Sequence, residues 1–121
     1  MAEYIQVMTT TATREDAARI ATVLLENRLA ACVQVMGPIE SHYRWKGTLE
    51  RSSEWLCLVK TTRGNYRAVE EAIHANHSYE VPEVIACPIE SGSEAYLAWL
   101  RAETEGGRIF LAISPRSLLE K

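Results

Sequence analysis

The chain has 121 residues, enough for one domain with its own core, and a composition of 47% hydrophobic and 24% charged residues excludes a disordered polymer. A formal net charge of -3 with no run of Lys and Arg argues against nucleic-acid binding, and no apolar run is long enough to span a bilayer. Three cysteines without a CxxC pair point to free thiols in a reducing compartment, and Met1-Ala2-Glu3 lacks the basic and apolar regions of a signal peptide, so a cytoplasmic protein is expected.

Tyr4 to Met8 reads as a first strand, carrying Tyr, Ile and Val with weak alternation. Thr13 then stands as an N-cap with Asp16 at N3. Ala17, Ile20, Ala21 and Leu24 form the apolar stripe of a helix from Thr13 to about Asn27. Ala31 to Met36 is a second strand, bent at Gly37-Pro38 and resuming from Ile39 to Trp45, with Lys46-Gly47-Thr48 as the turn. The return strand runs from Leu49 to Lys60. Its part Trp55–Val59 is apolar on both faces, as a strand buried centrally or under a partner would be. The outer half of this hairpin, with Tyr43 and Trp45 near its tip, is too long for so small a domain to cover, and reads as a contact arm.

Asn65 to Asn76 is the second helix, capped by Gly64 or Asn65, with Tyr66, Val69 and Ile73 inward. The chain then crosses through His77, Ser78, Tyr79 and Glu80. Pro82 blocks a return to helix, and Val84 to Cys87 reads as a short buried strand ended by Pro88. Ser91-Gly92-Ser93-Glu94 starts a third helix whose expected buried face is Ala95, Tyr96, Trp99 and Leu100. Gly106-Gly107 stops it, and Arg108 to Ile113 is read as a short tail strand. The order is the split βαβ pattern of a ferredoxin-like α+β fold, βαββαβ with an antiparallel sheet and an additional C-terminal helix and tail, spanning 1–121 as one domain.

Chemistry-bearing residues concentrate on the crossing. An imidazole, a phenol and two carboxylates lie between His77 and Glu83, where connectors commonly carry sites. Lys60 ends the hairpin's return strand and Glu83 opens the strand after the second helix. In a split βαβ sheet these two points can approach near an edge. A ligand site is therefore expected in a cleft between subunits, lined by His77, Tyr79 and Glu83 with Lys60 opposite, suited to a small polar or anionic ligand. A Lys60–Glu83 salt bridge that only fastens an interface is the structural alternative. Cys57 and Cys87, in apolar strand text, read as small hydrophobes. No GxSxG, P-loop, GxGxxG, HxxxH or CxxC spacing is present, so neither an enzyme nor a strong zinc or copper site is expected.

His77-Ser78-Tyr79-Glu80-Val81-Pro82-Glu83 resembles the His-Pro-Tyr-Glu-x-Pro-Glu signature of the CutA family of divalent-cation tolerance proteins. Leu29 to Val33 resembles its Leu-Ala-Ala-Cys-Val segment, Ile39 to Gly47 its Ile-x-Ser-x-Tyr-x-Trp-x-Gly hairpin, and Lys60-Thr61-Thr62 its Lys-Thr-Thr/Arg. The resemblance implies a ferredoxin-like fold assembled as a PII-like homotrimer with clefts between subunits, and a non-enzymatic protein implicated in the response to metal ions. Some members carry a strand Cys and a His-His pair regarded as copper ligands, and by motif position these fall on Met8, Asn76 and His77. Only His77 keeps a good divalent-metal ligand, so weak binding of copper or another divalent cation at His77 is what the resemblance implies. A trimeric small-molecule sensor of PII type is the second reading. For a nucleotide it would have only Lys60, Arg63 and Gly64 to offer.

Overall fold

The computed structural model describes residues 2–105. Its elements are β1 (Tyr4–Thr11), α1 (Arg14–Glu26), β2 (Cys32–Trp45), β3 (Thr48–Thr62), α2 (Tyr66–Ala75), β4 (Ile85–Ile89) and α3 (Glu94–Thr104), with one 3-10 turn at Arg63–Asn65. The strands form one antiparallel sheet in the order β2-β3-β1-β4, the ferredoxin-like arrangement expected from the element order. The tail strand read at Arg108–Ile113 and the Gly106-Gly107 stop lie outside the described residues.

Local signals explain where α1 begins and ends. The Asp16 amide donates to Thr13 Oγ1 at 3.0 Å, which makes Thr13 the N-cap, and Glu15 and Asp16 meet the positive end of the helix dipole. At the other end the Leu29 amide donates to the Leu24 carbonyl at 2.9 Å, and the Arg28 amide to Leu25 at 3.1 Å. That is the Schellman pattern, with Arg28 at φ 55 in the place glycine usually fills. α3 is capped in the same way as α1, by Ser93 Oγ accepting from the Tyr96 amide at 3.2 Å. α2 differs, because Asn65 makes no side-chain cap and the 3-10 turn leads straight into the helix.

α1 and α2 cover one face of the sheet. Ile5, Val7, Ile20, Leu24, Val59, Val69 and Ile73 meet there, each at most 1% exposed. Burying a side chain of this kind stabilises the fold by about 1.5–3 kcal/mol. The hairpin is shaped at two points. Gly37 and Pro38 together oppose Trp55, a bulge, and a Cβ on Gly37 would lie 2.8 Å from the Trp55 ring. At the tip Lys46 and Gly47 take φ 51 and 82, the positive values a two-residue type I′ turn demands.

Four expectations are corrected. Pro88 does not end β4 but lies inside it, paired with Ile5, which is permitted because β4 is an edge strand with one side unpaired. β4 is not buried: Ile85 is 50% exposed and Cys87 is exposed too. The apolar run in β3 is not buried on both faces within one chain. Cys57 and Val59 are fully buried under the helices, whereas Leu56 and Leu58 are half-buried on the opposite face. α3 lies on that opposite face. Its Arg101 donates to the Tyr4 hydroxyl at 3.2 Å, and Tyr4 alternates with inward Ile5 and Val7. Of the expected α3 face only Leu100 is buried; Tyr96 and Trp99 are 40% and 42% exposed.

Candidate functional site

The crossing after α2 is fastened by His77. The Tyr79 amide donates to His77 Nδ1 at 3.1 Å, which requires Nδ1 to be unprotonated. The proton therefore sits on Nε2, which donates to the Thr10 carbonyl at the end of β1 at 2.8 Å. The two aromatic rings lie 4.8 Å apart, tilted. Asn76, the last residue before the crossing, turns its amide back on Ala72 at 2.8 Å, and its carbonyl accepts from Arg19 of α1 at 3.1 Å. Buried Pro82 holds the extended exit.

So held, Tyr79 reaches across to the hairpin. Its hydroxyl donates to Glu54 Oε2 at 2.7 Å. Glu54 is 7% exposed, a carboxylate almost wholly taken out of water, and this bond offsets part of the desolvation cost. Burial pushes the Tyr79 hydroxyl well above the ordinary phenol range, and the bond to Glu54 pushes it further. The phenol is a fixed donor at any physiological pH.

Above this pair opens a cleft of about 720 Å³. One wall is the hairpin arm, with Ser41, Tyr43 and Trp45; the other is the crossing, with Ser78, Tyr79 and Val81. Glu50, Glu54, Glu80 and Glu83 contribute carboxylates, and among the described lining residues there is neither lysine nor arginine. Glu83 is exposed on one side, yet the desolvating wall and the neighbouring Glu54 charge hold its carboxyl above the usual carboxylate range.

Of the residues expected at the site, the structure brings His77, Tyr79 and Glu83 together at one end of the sheet. Lys60 is elsewhere. It pairs with Gln6 on β1 and Cys32 on β2, and its ammonium donates to Gln34 Oε1. Across β1 it faces Cys87, four residues along from Glu83, so the two are offset by about 13 Å along the sheet. The topological argument for their approach within a chain fails because antiparallel register, not strand order, decides which ends meet.

The implied copper set also fits poorly. Both ring nitrogens of His77 are engaged, the Asn76 amide is turned onto its own helix, and Met8 sits mid-strand between Leu58 and Ile85. Among the described residues no group of three or more His, Cys, Asp or Glu side chains could hold a metal ion. Burial pushes the Cys57 thiol up to about 11, which leaves it inert, as a small buried hydrophobe should be. Glu54 was the residue that sequence reasoning missed. Its signal was a carboxylate directly beside Leu56 and Leu58 on one face of β3, where the strand turns apolar.

The sequence profile of the CutA1 divalent ion tolerance protein family matches residues 5–103. The chain is 44% identical over 98 residues to the divalent-cation tolerance protein CutA of Thermus thermophilus, covering 81% of this chain and 95% of that one. It is 42% identical over 100 residues to the chloroplastic protein CutA of Arabidopsis thaliana, covering 83% of this chain and 55% of that one. It thus spans about half the length of several curated relatives it matches. Among solved structures, CutA1 from the psychrotrophic Shewanella sp. SIB1 superposes with a TM-score of 0.84 at 38% identity, over 87% of this chain and 98% of that one.

Proposed function

The chain belongs to the CutA1 divalent ion tolerance family, and from that premise we propose a non-catalytic cation-binding protein, assembled from three copies, whose ligand sits in the cleft beneath the aromatic arm. One observation carries this reading: four carboxylates line the cleft, with no lysine or arginine among the described lining residues. Like charges gathered in a walled cleft focus their field and concentrate counter-ions. A hard divalent ion suits such a place, held through one or two carboxylates and its own waters rather than by a closed ligand set. Copper at His77 would have to displace the Tyr79 amide or the Thr10 carbonyl, so its binding there is weak.

Binding rather than catalysis is supported by the same imidazole. His77, the candidate base, spends both nitrogens on holding the crossing. Assembly is supported by the apolar surface left bare in one chain, namely Ile85, Trp99, Tyr96, Leu49 and the arm aromatics. The three thiols, all free, suit the reducing cytoplasm. No described helix is long and apolar enough to cross a membrane. A nucleotide ligand of PII type lacks a cation in the cleft to meet its phosphates.

Thermal shift of the metal-stripped protein tests the reading. Mg²⁺ and Mn²⁺ should raise the melting temperature, less so in Glu54→Gln, while AMP and ATP should leave it unchanged. Stabilisation by nucleotides without stabilisation by cations would contradict it.

A further inference from the structure

We propose that α3 is a strap, fastened by charged and polar contacts rather than by a core of its own, that opens apart from the rest of the fold and uncovers the Cys32 thiol. The observation behind it is how little α3 buries. Of its 11 residues only Leu100 and Thr104 are buried, and Thr104 spends its hydroxyl on the Leu100 and Arg101 carbonyls of its own helix. Among the described residues, the polar ties between α3 and the rest of the chain run through two arginines. Arg101 donates to the Tyr4 hydroxyl at 3.2 Å, lies over the Tyr4 ring at 5.4 Å and pairs with Glu3. Arg28 holds the last turn through the Ala102 and Glu105 carbonyls. These bonds all lie at exposed positions, where solvent screening leaves each one weak. A helix of 11 residues is too short to persist in water by itself, so once the ties part it is lost as a unit, while the core under α1 and α2 stays whole.

Cys32 lies beneath the strap. β3 buries Val59 under α1 and α2 and turns Lys60 to the opposite face, and Cys32, the direct partner of Lys60 on β2, shares that face. Tyr96 of α3 is its neighbour there: partial burial first, and then the Cys32 thiol, push the Tyr96 hydroxyl above the ordinary phenol range. Cys32 is half-buried as a result, between the exposed Cys87 and the wholly buried Cys57. The outer sides of Tyr96 and Trp99 belong to the surface that the proposed three-copy assembly covers, so a second copy holds the strap shut and the opening belongs to the separate chain. That last step rests on the assembly reading; the opening itself does not.

Peptide-resolved labelling of the full chain with iodoacetamide is the test, with light scattering to give the mass of each sample. Labelling follows the open population when reclosing is fast, and Cys57, in the main core, reports global unfolding. In Ile85→Lys, altered on β4 rather than on α3, Cys32 should label about tenfold faster than in the wild type as its covering copy is lost. Arg101→Gln and Arg28→Gln should each speed Cys32 about fivefold more, the shift in an equilibrium expected from losing a partly exposed charged bond, while Cys57 keeps its wild-type rate. Cys32 labelling in step with Cys57 in every sample, or unmoved by both arginine variants, would overturn the proposal. Arginine variants that speed Cys32 equally in the wild type and in Ile85→Lys would support the strap and contradict its closure by a second copy. A wild type that scatters as one copy would remove the assembly reading, and the arginine effects would then decide the strap in the wild-type chain.

Discussion

The Tyr79 hydroxyl and the Glu54 carboxylate depend on one another more than on solvent, and each has a measurable weak point. Tyr79→Phe leaves Oε2 of a nearly buried carboxylate without its donor, so the variant should lose about 1–3 kcal/mol of stability in urea unfolding. Glu83 behaves in the opposite sense. Its carboxyl is held above its ordinary 4.5 by desolvation and by Glu54, so the folded chain binds the proton more readily than the unfolded one. Whatever Glu83 contributes is fully present below the ordinary value and is lost as pH rises through the raised one. Glu83→Gln should therefore raise the melting temperature at pH 7, and the gain should vanish below pH 4.5. A cation in the cleft favours the ionised form, so the wild-type response to Mg²⁺ should fade as pH drops through the same window.

Among the elements, the C-terminal end of α3 is tied to the turn after α1 by one side chain. Arg28 occupies a left-handed position at a cost of about 1 kcal/mol, and its guanidinium donates to the Glu105 and Ala102 carbonyls, both at 3.0 Å, at the far end of α3. Arg28→Gly would remove that strain and both bonds together. The amides of α3 should exchange hydrogen faster, while those in the last turn of α1 hold or slow. Features of this local kind were legible in the sequence: the Thr13 cap, the Gly37-Pro38 bulge and the Lys46-Gly47 turn each follow from residue chemistry within a few positions. The acceptor of the Tyr79 hydroxyl was not, since Glu54 lies 25 residues away and only tertiary packing joins them. The bare face of α3 was equally hidden. Helical spacing tells which of Tyr96, Trp99 and Leu100 share a side, but not whether anything covers it.

For the whole molecule, the exposed apolar residues on β4, α3 and the arm are the surface that the proposed three-copy assembly would cover. Light scattering at low micromolar concentration should return about three times 13.6 kDa. Ile85→Lys with Trp99→Lys should shift that mass downward, because charges on a covered apolar face are costly to bury. The central claim, that cations enter the cleft between the arm and the crossing, is tested most directly by paramagnetic broadening of amide resonances with substoichiometric Mn²⁺. Amides of Thr10 and of residues 41–45, 50–54 and 78–83, which contain the lining, should broaden first, and Glu54→Gln should weaken the effect. Broadening centred on Lys60 and Cys32 at the other end of the sheet, or spread evenly over the surface, would contradict it.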